Sequence, residues 1–264
     1  MRWSAVLAIA KRHTLVLQRS PHRLFDITIW PIVDTLLFGA IAVFFARSAG
    51  GVNGRTGAAY LLCGVLLWHV VFQSQNSLAT GFLEETWSRN LLSLMVTPLT
   101  EAEWVAGLVL VGLVKLLLGV GLVAVMVAVL YAFNVTSLGL ALLPIVAVLL
   151  TAGWAIGLFV TGVVLRFGSG AEAFVWGVLF VVMPLSGTFY PTSVLPALLR
   201  PLSALLPTTY AFEAARAVID GDRMPWRPLG IAALTTVVAL VLAVAFVRAM
   251  LGTFRRRGYV TRYS

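Results

Sequence analysis

The chain has 264 residues, 60% hydrophobic and 11% charged, and its 19 Lys and Arg against 10 Asp and Glu give a formal charge of +9. Its mean hydropathy is +0.98, whereas a soluble domain carries roughly 45–50% apolar and about 25% charged residues, so a soluble globular protein is excluded and an integral membrane protein is indicated. The basic excess does not indicate nucleic acid, because the basic residues lie between and beside apolar segments and not on one water-exposed face.

The first residues, MRWSAVLAIAKRHTLVLQRS, hold an apolar stretch too short for a signal peptide, interrupted at once by Lys11, Arg12 and His13 and without a convincing cleavage site. Read as a helix, they align Trp3, Val6, Leu7 and Ala10 on one face. Residues 1–23 are thus expected to form a basic amphipathic helix in the membrane interface, in contact with lipid.

Six apolar segments follow, at 24–46, 58–72, 105–133, 138–165, 171–186 and 229–251. Crossing a ~30 Å hydrocarbon core takes about 20 helical residues, which the second segment reaches only if Gln73, Gln75 and Asn76 continue its helix. Lone spans must satisfy their own backbone hydrogen bonds, so the expected fold is an all-α, six-span transmembrane domain over residues 24–251. Cys63 lies inside the second segment, which leaves no disulfide framework and no thiol-rich metal site.

Between the second and third spans, FLEETWSRNLLSLMVTPLTEAEW gathers four of the ten acidic residues. At helical spacing Leu83, Trp87, Leu91 and Leu94 or Met95 make an apolar stripe, with Glu84, Glu85, Ser88 and Arg89 on the other side. A short helix over about 82–97 is expected, with Glu85 and Arg89 as an i, i+4 pair. Pro98 ends it. Thr100 and Glu103 then read as the two halves of a capping box that starts the third span.

Between the fifth and sixth spans, Pro184, Pro191, Pro196, Pro201 and Pro207 forbid one continuous helix. Leu195 to Leu206 is apolar yet too short to cross, so a re-entrant or interfacial hairpin over about 187–219 is expected. Residues 252–264 form a basic tail. Twelve Lys and Arg fall on the side holding both termini and the 82–97 loop, six on the other, and Lys115 is intramembrane. The positive-inside rule therefore places both termini in the cytoplasm.

The segment around Glu84 to Arg89 resembles the coupling-helix region of the six-helix permeases of ATP-binding-cassette exporters, a class that includes drug, lipid and polysaccharide exporters. Residues 186–221 extend the resemblance: Tyr190-Pro191, Leu195-Pro196, Leu206-Pro207, Thr209-Tyr210, Glu213 and Arg216 stand in the order and spacing of that family. With the interfacial first helix and the six spans, the resemblance covers nearly the whole chain. It implies a permease of the cell membrane, present as two copies and driven by two separate ATPase subunits that carry ATP and Mg. Glu84, Glu85, Trp87 and Arg89 would then contact the ATPase, and Pro191, Pro196, Pro207, Tyr210, Glu213 and Arg216 would shape an external cap. The implied cargo is amphipathic, lipid-like or glycan.

The chain has no cofactor motif of its own: neither of its two lysines follows a glycine, so there is no GxxxxGK[ST] phosphate loop. No HExxH or GxSxG appears, and His13, His22 and His69 are not spaced as metal ligands, which argues against an enzyme and a metal site. Asp34 and Lys115 are the charges deepest in apolar segments and the costliest to bury alone. They are candidates to pair with each other. In an alternative reading, they carry the coupling ion of a self-contained secondary transporter. Trp30, Phe38, Trp154, Trp176 and Phe180 would suit an apolar substrate path.

Overall fold

The structure, a computed structural model, describes residues 2–49, 51–87 and 97–257. Among these it contains helices and no strand. The helices are α1 (Trp3–Gln18), α2 (Pro21–Ala49), α3 (Gly51–Trp87), α4 (Glu101–Tyr131), α5 (Leu142–Phe167), α6 (Glu172–Leu185), α7 (Arg200–Ala204), α8 (Pro207–Ile219) and α9 (Trp226–Arg257). Among the described residues, five stretches are long and apolar enough to cross a membrane: Ile27–Ser48, Gly54–Glu85, Glu101–Tyr131, Gly139–Phe167 and Trp226–Thr253. The expected fifth span, α6, is apolar but has 14 residues, about 21 Å at 1.5 Å per residue.

α3 is the central helix, packed against α2, α4 and α5, while α9 packs on α5 and α1 lies on α4. Its polar extension does continue the helix. Gln73, Ser74, Gln75 and Ser77 are all buried, and Gln75 Nε2 donates to the Val175 carbonyl of α6 at 3.0 Å. Lipid tails are as apolar as leucine, so close association of spans depends on small residues that let backbones approach. On α5, a Cβ at Gly157 would stand 2.8 Å from the Gln75 carbonyl oxygen. The outward faces carry Leu117, Val129, Leu143, Val241 and Leu242, all more than half exposed, as expected of surfaces that meet hydrocarbon.

The capping box exists as read: Thr100 Oγ1 accepts from the Glu103 amide at 3.2 Å, and Glu103 Oε2 accepts from the Thr100 amide at 3.1 Å. Other local readings shift. α1 buries Val6, Ile9, Ala10, His13 and Leu17, whereas Trp3 and Leu7 are 65% and 56% exposed, because the side facing α4 is set by Ile9 seating over Gly107. α3 runs unbroken to Trp87, so Glu84, Glu85 and Trp87 end that long helix and do not open a separate short one. The rest of the expected 82–97 helix, including Arg89, lies outside the described residues, as does the tail beyond Arg257.

Candidate functional site

Two places gather polar groups inside the apolar bundle, and a third closes one of its ends. The first is the junction of α1 with the ends of α3 and α4. The Glu85 side chain is 1% exposed, and the Arg12 fork reaches both of its oxygens, Nη1 at 2.7 Å from Oε1 and Nη2 donating to Oε2 at 2.9 Å. His13 inserts between two carboxylates, Nδ1 at 3.6 Å from Glu84 and Nε2 at 3.4 Å from Glu85. Burial pulls the His13 imidazolium down, but the hydrogen bonds and charges of Glu84 and Glu85 together outweigh it and leave His13 above its ordinary value. Arg2 adds a second tie at the far end of α1, its amide donating to Glu103 Oε1 at 2.6 Å and its Nη2 to Oε2 at 3.2 Å. A guanidinium matches a carboxylate in plane and in spacing, so the Arg12 pair is directional as well as attractive. α1 is thereby tied to α4 at its start and to α3 past its middle, and not merely laid on a lipid surface.

The second place is a cavity of about 400 Å³ between α2, α3 and α6. Its wall is aromatic: Trp30 and Phe38 from α2, Trp68 and Phe72 from α3, Trp176 and Phe180 from α6. Phe189, just beyond α6, stacks on Phe38 with centroids 4.2 Å apart. Only two lining side chains carry polar atoms that titrate, Asp34 and His69. His69 is 1% exposed, and its Nε2 lies 3.5 Å from Asp34 Oδ2. That separation is within the range of charge interaction, but hydrogen-bond geometry is not met, and neither His69 nitrogen has a hydrogen-bond partner among the described residues. The Asp34 side chain is 34% exposed. Asp34 therefore meets His69. Lys115 is half-buried on α4.

The third place is the proline-rich segment after α6. Each proline falls where it costs little: Pro191 precedes the short Thr192–Val194 turn, and Pro207 begins α8 where an amide would be unpaired anyway. Arg216 is buried and its Nη1 donates to the Gly187 carbonyl at 2.5 Å. Burial pushes the Arg216 guanidinium down from its ordinary value. Tyr210 donates to the Ala204 carbonyl at 2.9 Å, Tyr190 to the Pro184 carbonyl at 2.9 Å, and the Ser186 and Thr208 hydroxyls meet at 2.5 Å. Pro191, Pro196 and Glu213 are exposed. The segment is thus tied to itself and to the end of α6 through backbone carbonyls.

Of the sequence-selected aromatics, the structure gathers Trp30, Phe38, Trp176 and Phe180 at the cavity, while Trp154 packs near Leu158 and Ala243 elsewhere. Sequence reasoning missed Arg12 and His13 as partners of Glu84 and Glu85, and His69 as the partner of Asp34. The signal was present in the unusual placement of ionisable residues on apolar faces, but the pairing was not. Among the described residues, no group of three His, Cys, Asp or Glu could hold a metal ion.

The sequence model of the ABC-2 type transporter family matches residues 4–219. No curated protein matches the chain. The match spans the clasp, the cavity and the proline-rich segment, and the chain belongs to the ABC-2 type transporter family: it is a multi-pass membrane permease of an ATP-binding-cassette transporter.

Proposed function

Starting from that membership, we propose that the chain is the membrane subunit of an exporter powered by a separate ATPase. Two copies would form the path, with both termini in the cytoplasm and no cofactor on this chain. ATP and Mg belong to the partner. The observation that carries the reading is the family match over residues 4–219, which brings a transport role to a chain with no phosphate loop of its own.

The clasp supplies the coupling element. Glu84, Glu85 and Trp87 end α3, on the side this reading assigns to the cytoplasm, with Arg89 two positions on in sequence, and Glu85 is joined to Arg12. A push delivered there by closing ATPase subunits would move α1 and α3 together, because a charge-assisted pair whose carboxylate is buried resists separation. α3 also lines the aromatic cavity, so the same helix that receives the push forms the wall of the path. Packed helices switch between discrete arrangements and do not deform smoothly, which lets a small displacement at one end alter access at the other. The proline-rich segment with Pro191, Pro196, Pro207, Tyr210, Glu213 and Arg216 would cap the path externally.

The coupling role is tested with Arg12→Ala and Glu84→Gln in the permease–ATPase complex. The expected result is normal insertion, with ATP turnover no longer stimulated by substrate. Full stimulation in the double variant would remove the clasp from the mechanism.

A further inference from the structure

The chemistry of the aromatic cavity narrows the cargo. We infer that it is a binding site for a hydrophobic amine in its ammonium form, held by Asp34 and His69 within a wall of aromatic faces. This rests on the exporter reading for the direction of movement, but the binding itself does not.

Three observations lead there. An aromatic face is negative at its centre and attracts a cation, most strongly when water is excluded. The cavity offers Trp30, Trp68 and Trp176 besides four phenylalanines. Second, the one carboxylate at this wall, Asp34, is set in apolar surroundings where an unneutralised charge is costly. Third, His69 is almost fully buried, lines the cavity and has both ring nitrogens without a hydrogen-bond partner among the described residues. A buried polar group left without a partner has given up its hydrogen bonds to water for nothing in return. A ligand that brings a positive charge and an N–H donor answers all three: its charge lies against Asp34, its N–H donates to whichever His69 nitrogen is unprotonated, and its apolar body lies on the rings. A glycan would need many polar partners along its length, whereas this wall offers Asp34, His69 and the indole N–H groups of three tryptophans among otherwise apolar side chains. A quaternary ammonium would satisfy the rings and Asp34 but leave His69 unpaired.

The probe is dibenzylamine, protonated near neutral pH, against dibenzyl ether, its uncharged counterpart of nearly the same shape. Binding to the purified full chain in lipid nanodiscs is read by scintillation proximity with tritiated amine, and the ether is measured by competition. Empty nanodiscs supply the partition background. The amine should bind at least about tenfold more tightly than the ether, the difference of one charge-assisted contact. Asp34→Asn should remove that preference and leave ether binding unchanged. Asp34→Glu should keep it, and His69→Phe should weaken the amine alone. Equal binding of amine and ether to the unaltered protein would overturn the proposal without recourse to any variant. So would undiminished amine preference in a folded Asp34→Asn protein. Because no ATPase is present, loss of ATP-driven transport would leave this result standing, and absence of amine binding alongside intact ATP-driven transport would refute the site alone.

Discussion

His13 is a buried imidazole between two carboxylates, so one proton decides how tightly α1 is held. Its folded-state value is raised by Glu84 and Glu85. The stabilisation it contributes is therefore complete below its ordinary value near 6.5 and is lost as pH rises through the higher folded value. The expected outcome is an α1 whose amides exchange faster with solvent at about pH 9 than at about pH 6, measured by hydrogen exchange in nanodiscs, beyond the intrinsic acceleration by base. His13→Gln should abolish that extra dependence. The contact of Arg12 with Glu85 does not depend on this proton, so α1 loosens without detaching. An unchanged pH profile in His13→Gln would show that the imidazole does not report on the clasp.

At the scale of elements, much was legible from local rules. The capping box of Thr100 and Glu103 spans three residues, and the proline breaks after α6 follow from a missing amide, so each could be read without knowing the fold. Long apolar runs likewise announced α2, α4, α5 and α9. What could not be read were pairings set by how helices cross. Arg12 meets Glu85 across 73 positions and Arg216 meets Gly187 across 29, and Asp34 reaches His69 only through the register of α2 on α3. That register depends on which small residues allow contact, as at Gly54 on α3, where a Cβ would stand 2.9 Å from the Ala46 carbonyl oxygen of α2, and a single sequence does not rank them. The length of α3 was missed for a related reason: Thr80, Glu84 and Glu85 interrupt the apolar pattern without breaking the helix. The capping segment gives its own test, helped by a native thiol, Cys63, that is buried. Glu213→Cys, at an exposed position of α8, should react with an impermeant maleimide from the side opposite Lys11→Cys on α1. Ala214→Cys, at a position that is 0% exposed, should stay unlabelled. Reaction of the α1 and α8 cysteines from the same side would invert the proposed placement of this segment.

Across the whole molecule, α3 links the two sites: its last turns enter the charged clasp and its middle forms the back wall of the aromatic cavity. A single helix of 37 residues extends about 55 Å, well beyond a ~30 Å hydrocarbon core, and can carry displacement from one membrane face to the cavity. The same arrangement bears on the competing reading, in which Asp34 and Lys115 would carry a coupling ion. Asp34 lies beside His69 in a cavity large enough for an organic ligand, a geometry that also suits cargo. The decisive measurement is transport of labelled dibenzylamine by proteoliposomes holding the permease with its ATPase subunit, under ATP without an ion gradient and under a proton or sodium gradient without ATP. An ATP-driven exporter should move the amine only with ATP and the ATPase present, indifferent to the gradient. Movement driven by the gradient alone, by the permease alone, would contradict it.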